Sequence, residues 1–202
     1  MPEAAVEWAK ERDPRCPTSK QSLVFNHSSY IDSLVLTAVL PGEPAIVAKR
    51  ELFGQFIAGP LLRRLEIPFV ERYDVSGSLA DTNALIALAH RGRILVFFPE
   101  GTFTRRAGLS VFYLGAFKVA ADAKIPILPS VIRGTRSMLR GEQWFPRHAA
   151  ISVEIGEPVM PSGTDFRSVL RLRDEVRDIV LSRCGEPDLG ELIKPVPSQV
   201  TT

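Results

Sequence analysis

The sequence predicts a single α/β domain: a mixed, mostly parallel β-sheet covered by helices. Short apolar runs alternate along the chain with stretches whose apolar residues recur at helical spacing. One run, residues 94–98, is apolar at every position, the pattern of a strand buried on both faces. Two polar loops, Asn26-His27-Ser28-Ser29 and Pro99-Glu100-Gly101-Thr102, each follow such a run directly. Open α/β sheets place their sites in such loops, at the carboxyl ends of the strands.

Residues 2–10 suggest a short helix, and residues 12–20, with Pro14 and Pro17, an irregular lead-in. The domain proper is expected over residues 21–184, between a lead-in segment at 1–20 and a loose C-terminal tail at 185–202, which carries Pro187, Pro195 and Pro197. Residues 21–25 form the first core strand. After it Ile31, Leu34, Val35 and Ala38 keep helical spacing until Pro41-Gly42. Ser28 and Ser29 are expected to cap that helix, and Asp32 falls in its first turn, where a carboxylate is favoured. Strands follow at 45–48 and 67–70, separated by a stretch that Gly54, Gly59 and Pro60 keep from being one regular helix.

Residues 74–90 form the clearest helix, stopped at Gly92. The central strand at 94–98 leads through the second polar loop to a helix at 113–123 and a strand at 125–132. Residues 133–147 read as a loop carrying four arginines. A last strand at 150–155 precedes an amphipathic helix at 165–183, in which Phe166, Val169, Leu170, Leu172, Val176, Ile179 and Val180 share a stripe.

Composition excludes some classes of function. With 45% hydrophobic and 24% charged residues the chain is an ordinary globular one of 202 residues. A net charge of +2, with Lys and Arg spread along the chain, does not suit a nucleic-acid partner. The two cysteines, Cys16 and Cys184, have no metal-ligand spacing, so no metal is expected and a reduced compartment is. The first twenty residues are charged and Pro-broken rather than signal-like, and no apolar run reaches the roughly 18 residues of a membrane span.

His27 on a loop, with Asp32 five residues on, is the minimum kit for a general base and its orienting partner. Alone, H-x-x-x-x-D arises often by chance. Here it resembles the motif of the glycerolipid acyltransferases, the family that includes glycerol-3-phosphate and lysophosphatidic acid acyltransferases, because three further blocks follow in family order. Val47-Ala48-Lys49-Arg50-Glu51-Leu52-Phe53, with Gly59, Arg64 and residues 67–72, is similar to the second block; Phe98-Pro99-Glu100-Gly101-Thr102 to the third; and residues 125–132 to the fourth. The likeness covers residues 22–134. It departs from the family where Phe103 and Thr104 intervene before Arg105, and where Phe112-Tyr113 stands in place of a Phe-Lys pair.

The resemblance implies a glycerol-3-phosphate acyltransferase-like fold and transfer of a fatty acyl chain to the hydroxyl of a lysophospholipid, 1-acyl-glycerol-3-phosphate first among them. The donor would be acyl-CoA or an acyl carrier protein, with no bound cofactor. His27 would take the hydroxyl proton while Asp32 holds its tautomer, so no serine nucleophile is needed. Arg72, which closes the second block, would hold the acceptor's phosphate with help from Lys49. Glu100 would accept a hydrogen bond from a glycerol hydroxyl or brace its loop. Gly101 would let the backbone approach substrate, with Thr102 and Arg105 beside it. The implied setting is cytoplasmic and peripheral, on the inner face of an anionic membrane reached through the apolar and basic residues of the second block, in a soluble chain or one domain of a longer protein. A thioesterase-like hydrolase and a catalytically silent lipid-binding module are the alternative readings.

Overall fold

The computed structural model describes residues 5–6, 20–41, 44–49, 69–72, 79–102, 106–139 and 147–190. Its strands are β1 (Ala5–Val6), β2 (Ser22–Phe25), β3 (Ala45–Lys49), β4 (Phe69–Arg72), β5 (Leu95–Phe97), β6 (Ile127–Arg133) and β7 (Ser152–Ile155). Its helices are α1 (Asp32–Val39), α2 (Leu79–His90), α3 (Gly115–Ala123), α4 (Thr135–Met138) and α5 (Phe166–Cys184). The strands form one sheet in the order β1-β7-β6-β2-β5-β3-β4. The five from β6 to β4 run parallel, whereas β7 is antiparallel to β6, and β1 pairs parallel to β7. This is the mixed, mostly parallel sheet that the apolar runs predict.

Alternation along the strands sorts the core into two layers. Leu23 and Phe25 of β2, Ile46, Val96 and Leu128 pack with Leu36 of α1 on one face. Val24, Val47, Leu95, Phe97 and Val131 face the other way, against Leu85 of α2, Phe117 and Ala120 of α3, and Val169, Leu172, Val176 and Val180 of α5. The chain leaving β2 therefore enters the helix on one face, and the chain leaving its neighbour β5 enters the helix on the other. That divergence lies at the carboxyl ends of β2 and β5, the place where such sheets bind their ligands.

Four local expectations need correction. Ala5–Val6, expected within a helix, is a strand: Ala5 pairs with Ser152 and Val6 with Val153, a ladder supplied by a partner far along the chain that overrides weak local helix propensity. The arginine-bearing loop holds a turn of helix, Thr135–Met138, started by Gly134 at φ +89°, where a Cβ would lie 1.9 Å from the Ala150 carbonyl oxygen. Phe166 is 68% exposed rather than part of the buried α5 stripe, at the first residue of the helix. The tail is not loose where it begins: Leu109 N–H donates to Pro187 O (2.9 Å), Leu189 N–H to Leu109 O (3.0 Å), and the Leu189 side chain is buried. The strand expected at 67–70 is seen as Phe69–Arg72.

Candidate active site

Asn26 begins the site by prolonging β2. Its amide Nδ2–H donates to Ile132 O (2.9 Å), and its Oδ1 accepts from Ile132 N–H (2.9 Å), so the side chain imitates one more rung of the β2–β6 ladder. The next three residues wrap around one carboxylate. Asp32 Oδ2 accepts from Ser28 N–H (2.7 Å), from Ser29 N–H (2.9 Å) and from His27 Nδ1 (2.8 Å), and the residue is fully buried. The two serines thus do not cap α1, whose first turn has no side-chain cap. Ser29 Oγ donates instead to Leu139 O (2.8 Å), because Asp32, placed in that first turn, already takes the loop's N–H groups.

This arrangement fixes the tautomer of His27. A carboxylate oxygen ringed by backbone donors accepts hydrogen bonds, so the imidazole proton sits on Nδ1 and leaves Nε2 as the basic nitrogen. The ring stacks on Phe98, with centroids 4.4 Å apart and planes 26° from parallel. One carboxylate and one aromatic face hold both torsions of a side chain that is 11% exposed.

Glu100 secures the same loop from β5. Its Oε1 accepts from His27 N–H (2.8 Å) and its Oε2 from Ser110 N–H (2.8 Å). Of the two roles open to it, bracing the loop is the one these bonds describe. Burial pushes its carboxyl above the ordinary range; the two N–H donors and His27 pull the other way, and Glu186 adds to the rise. Gly101 follows at φ +74°, with the Tyr113 ring so close that a Cβ would lie 3.1 Å from it. Thr102 is exposed beside this turn.

The expected phosphate ligands are placed by their strands. Lys49 and Arg72 end β3 and β4 and are register partners. In the order β2-β5-β3-β4 their backbones lie two and three strand spacings from the His27 strand, or about 10 and 14 Å. Arg105 lies outside the described residues. Among the described residues, no three His, Cys, Asp or Glu side chains gather as a metal site requires.

A family model described as Acyltransferase matches residues 11–133, more than half of the 202-residue chain. The chain belongs to the acyltransferase family. It is 31% identical over 169 residues to the 1-acyl-sn-glycerol-3-phosphate acyltransferase alpha of Mus musculus, an alignment that spans 82% of this chain and 59% of that protein. It is 26% identical over 176 residues to a putative 1-acyl-sn-glycerol-3-phosphate acyltransferase, acl-2, of Caenorhabditis elegans, spanning 83% of this chain and 60% of that one. Among solved structures, the 1-acyl-sn-glycerophosphate (LPA) acyltransferase PlsC from Thermotoga maritima shares the fold, with a TM-score of 0.64 at 23% identity over 87% of this chain and 66% of that chain. The chain spans about 60% of the length of these curated relatives.

Within this acyltransferase fold, four contributors to the site escape a reading of the sequence. Asn26 reads as a loop residue, Phe98 as part of a strand, and Arg136 and Glu186 as members of a loop and a tail. Asn26 directly precedes His27 and Phe98 opens the third block, and those places are the signal that could have found their roles. Arg136 and Glu186 carry no such signal, since they lie 50 residues apart and meet only in the fold.

Proposed function

We propose that the chain is an O-acyltransferase that moves a fatty acyl chain from acyl-CoA or an acyl carrier protein to the hydroxyl of a lysophospholipid, with 1-acyl-glycerol-3-phosphate as the acceptor. The observation that carries the reading is the His27–Asp32 pair at 2.8 Å, in a loop held at the divergence of β2 and β5. His27 Nε2 takes the proton as the acceptor oxygen attacks the thioester carbonyl. The tetrahedral intermediate then collapses, the C–S bond breaks, and the imidazolium returns the proton to the leaving thiolate. Asp32 stabilises the imidazolium in between.

The two cationic residue types at the ends of adjacent strands, Lys49 and Arg72, support a phosphate-bearing acceptor. The names of two relatives, a 1-acyl-sn-glycerol-3-phosphate acyltransferase and a putative one, favour the same acceptor. Such an acceptor lies in a bilayer, and among the described residues no helix is long and apolar enough to cross one. The reading includes docking on an anionic membrane, on its cytoplasmic side, through the basic and apolar residues between Lys49 and Arg64, of which 50–64 lie outside the described residues. In the test, the purified chain is given one long-chain acyl-CoA with a panel of lysophospholipids and glycerol-3-phosphate. Acceptor-dependent thiol release with a diacyl product is the expected result, and thiol release at the same rate without acceptor identifies a hydrolase instead.

A further inference from the structure

Glu186 stands two residues beyond α5 and is a meeting point for two loops and the short helix α4. Its Oε1 accepts from Ser28 Oγ–H (3.3 Å) in the β2–α1 loop and from Arg136 Nε–H (3.0 Å) in α4. Its Oε2 accepts from Gly108 N–H (2.8 Å) in the β5–α3 loop and from a second Arg136 N–H (3.1 Å). The fork-to-fork pairing with Arg136 is partly shielded from solvent and directional. Ser28 lies between His27 and Asp32 and gives its own N–H to the Asp32 carboxylate. Ser28 Oγ also accepts from Asn26 (3.4 Å), so a continuous chain of bonds runs from Ile132 at the end of β6 through Asn26 and Ser28 to Glu186.

A second route reaches the same loop. Arg177 of α5 donates to Ser110 O (3.0 Å) and Leu109 O (3.1 Å), while Ser110 N–H and His27 N–H share Glu100. α5 and the segment that follows it are thus bonded to both loops that hold the base, although Arg177 and Glu186 stand far from His27 in sequence.

We infer that Glu186 is a positioning residue for acyl transfer, whose carboxylate clamps the His27–Asp32 loop to the β5–α3 loop and to α4. The inference rests on the function proposed above. Both of its oxygens face only donors, which sets a strict chemical requirement. A glutamine would turn an N–H₂ group toward either Gly108 and Arg136 or Ser28 and Arg136, so the amide is no substitute for the carboxylate.

The test compares Glu186→Ala and Glu186→Gln with the wild-type chain by steady-state transfer and by amide hydrogen exchange. Small misplacement of a catalytic group is costly, so kcat should fall about ten- to hundredfold in both variants, with KM for donor and acceptor little changed. Exchange at Ser28, Ser29 and Gly108 should speed up, while the amides of β5 and β6 keep their wild-type rates. A wild-type kcat in both variants overturns the inference, as does faster exchange spread evenly over the sheet, which marks a merely structural residue. If the wild-type chain transfers no acyl group, the function fails, and the exchange pattern alone still decides whether the clamp exists.

Discussion

Replacing Glu100 by alanine removes an acceptor that two loops share. The residue is 6% exposed, and each of its oxygens takes one backbone N–H at 2.8 Å, from His27 and from Ser110. Hydrogen bonds to an ionised group contribute about 1.5–3 kcal/mol each, so losing the pair costs about 3–6 kcal/mol before offsets. The wild type already bears the cost of burying the carboxylate, seen in its raised pKa, which brings the expected net loss to about 2–4 kcal/mol. A domain of ordinary stability, about 5–15 kcal/mol, survives that loss and remains measurable by urea unfolding.

The same comparison has a defined pH dependence. A carboxyl whose folded pKa is raised binds more protons in the native than in the unfolded state between the ordinary value of 4.5 and the folded one. Its contribution to stability is therefore complete below that ordinary value and is lost as pH rises through the folded value. The gap between wild type and Glu100→Ala should shrink over that window. Turnover should fall together with stability, because the His27 N–H loses its anchor. A Glu100→Ala chain with unchanged urea midpoint and unchanged kcat would refute the brace.

Asp32→Asn should lower turnover by about two to four powers of ten, because an amide facing Nδ1 favours the wrong tautomer; comparison of kcat at matched folded fraction checks it. Arg72→Ala should raise the KM for a phosphorylated acceptor and leave the KM for acyl-CoA nearly unchanged, whereas equal weakening of both substrates marks an arginine that only ends β4. Gly101→Ala should destabilise by about 1–2 kcal/mol in thermal or urea melts, since φ is +74° and the Tyr113 ring must yield. An unchanged melt would show that the turn relaxes freely.

The parts of the fold legible in the sequence are those whose burial shows as pattern. β5 is buried on both faces and reads as a continuous apolar run, and β2 and β6 read as short apolar runs, broken only by Ser22 in β2 and by Pro129-Ser130 before Arg133 in β6. α5 reads as a stripe because Val169, Leu172, Val176 and Val180 recur at helical spacing on its buried side. His27, Asp32 and Glu100 are legible as motif residues, and the pairing of β2 with β5 brings their loops together. Where pairing partners are distant, local pattern fails: β1 exists through β7, and the start of the tail is fixed through Leu109, Gly108 and Arg136. The serines misled for a different reason. A serine before a helix is a good cap by type, but a carboxylate in the first turn that collects the same loop's N–H groups turns the hydroxyls to other partners.

The central claim is that His27 is the base for acyl transfer. The most direct measurement is turnover of His27→Ala with a long-chain acyl-CoA and 1-acyl-glycerol-3-phosphate, followed as released thiol and as diacyl product, on a chain shown by circular dichroism and urea unfolding to be folded. Loss of the proton acceptor predicts a fall in kcat of about two to four powers of ten. Wild-type turnover in that folded variant would contradict the mechanism.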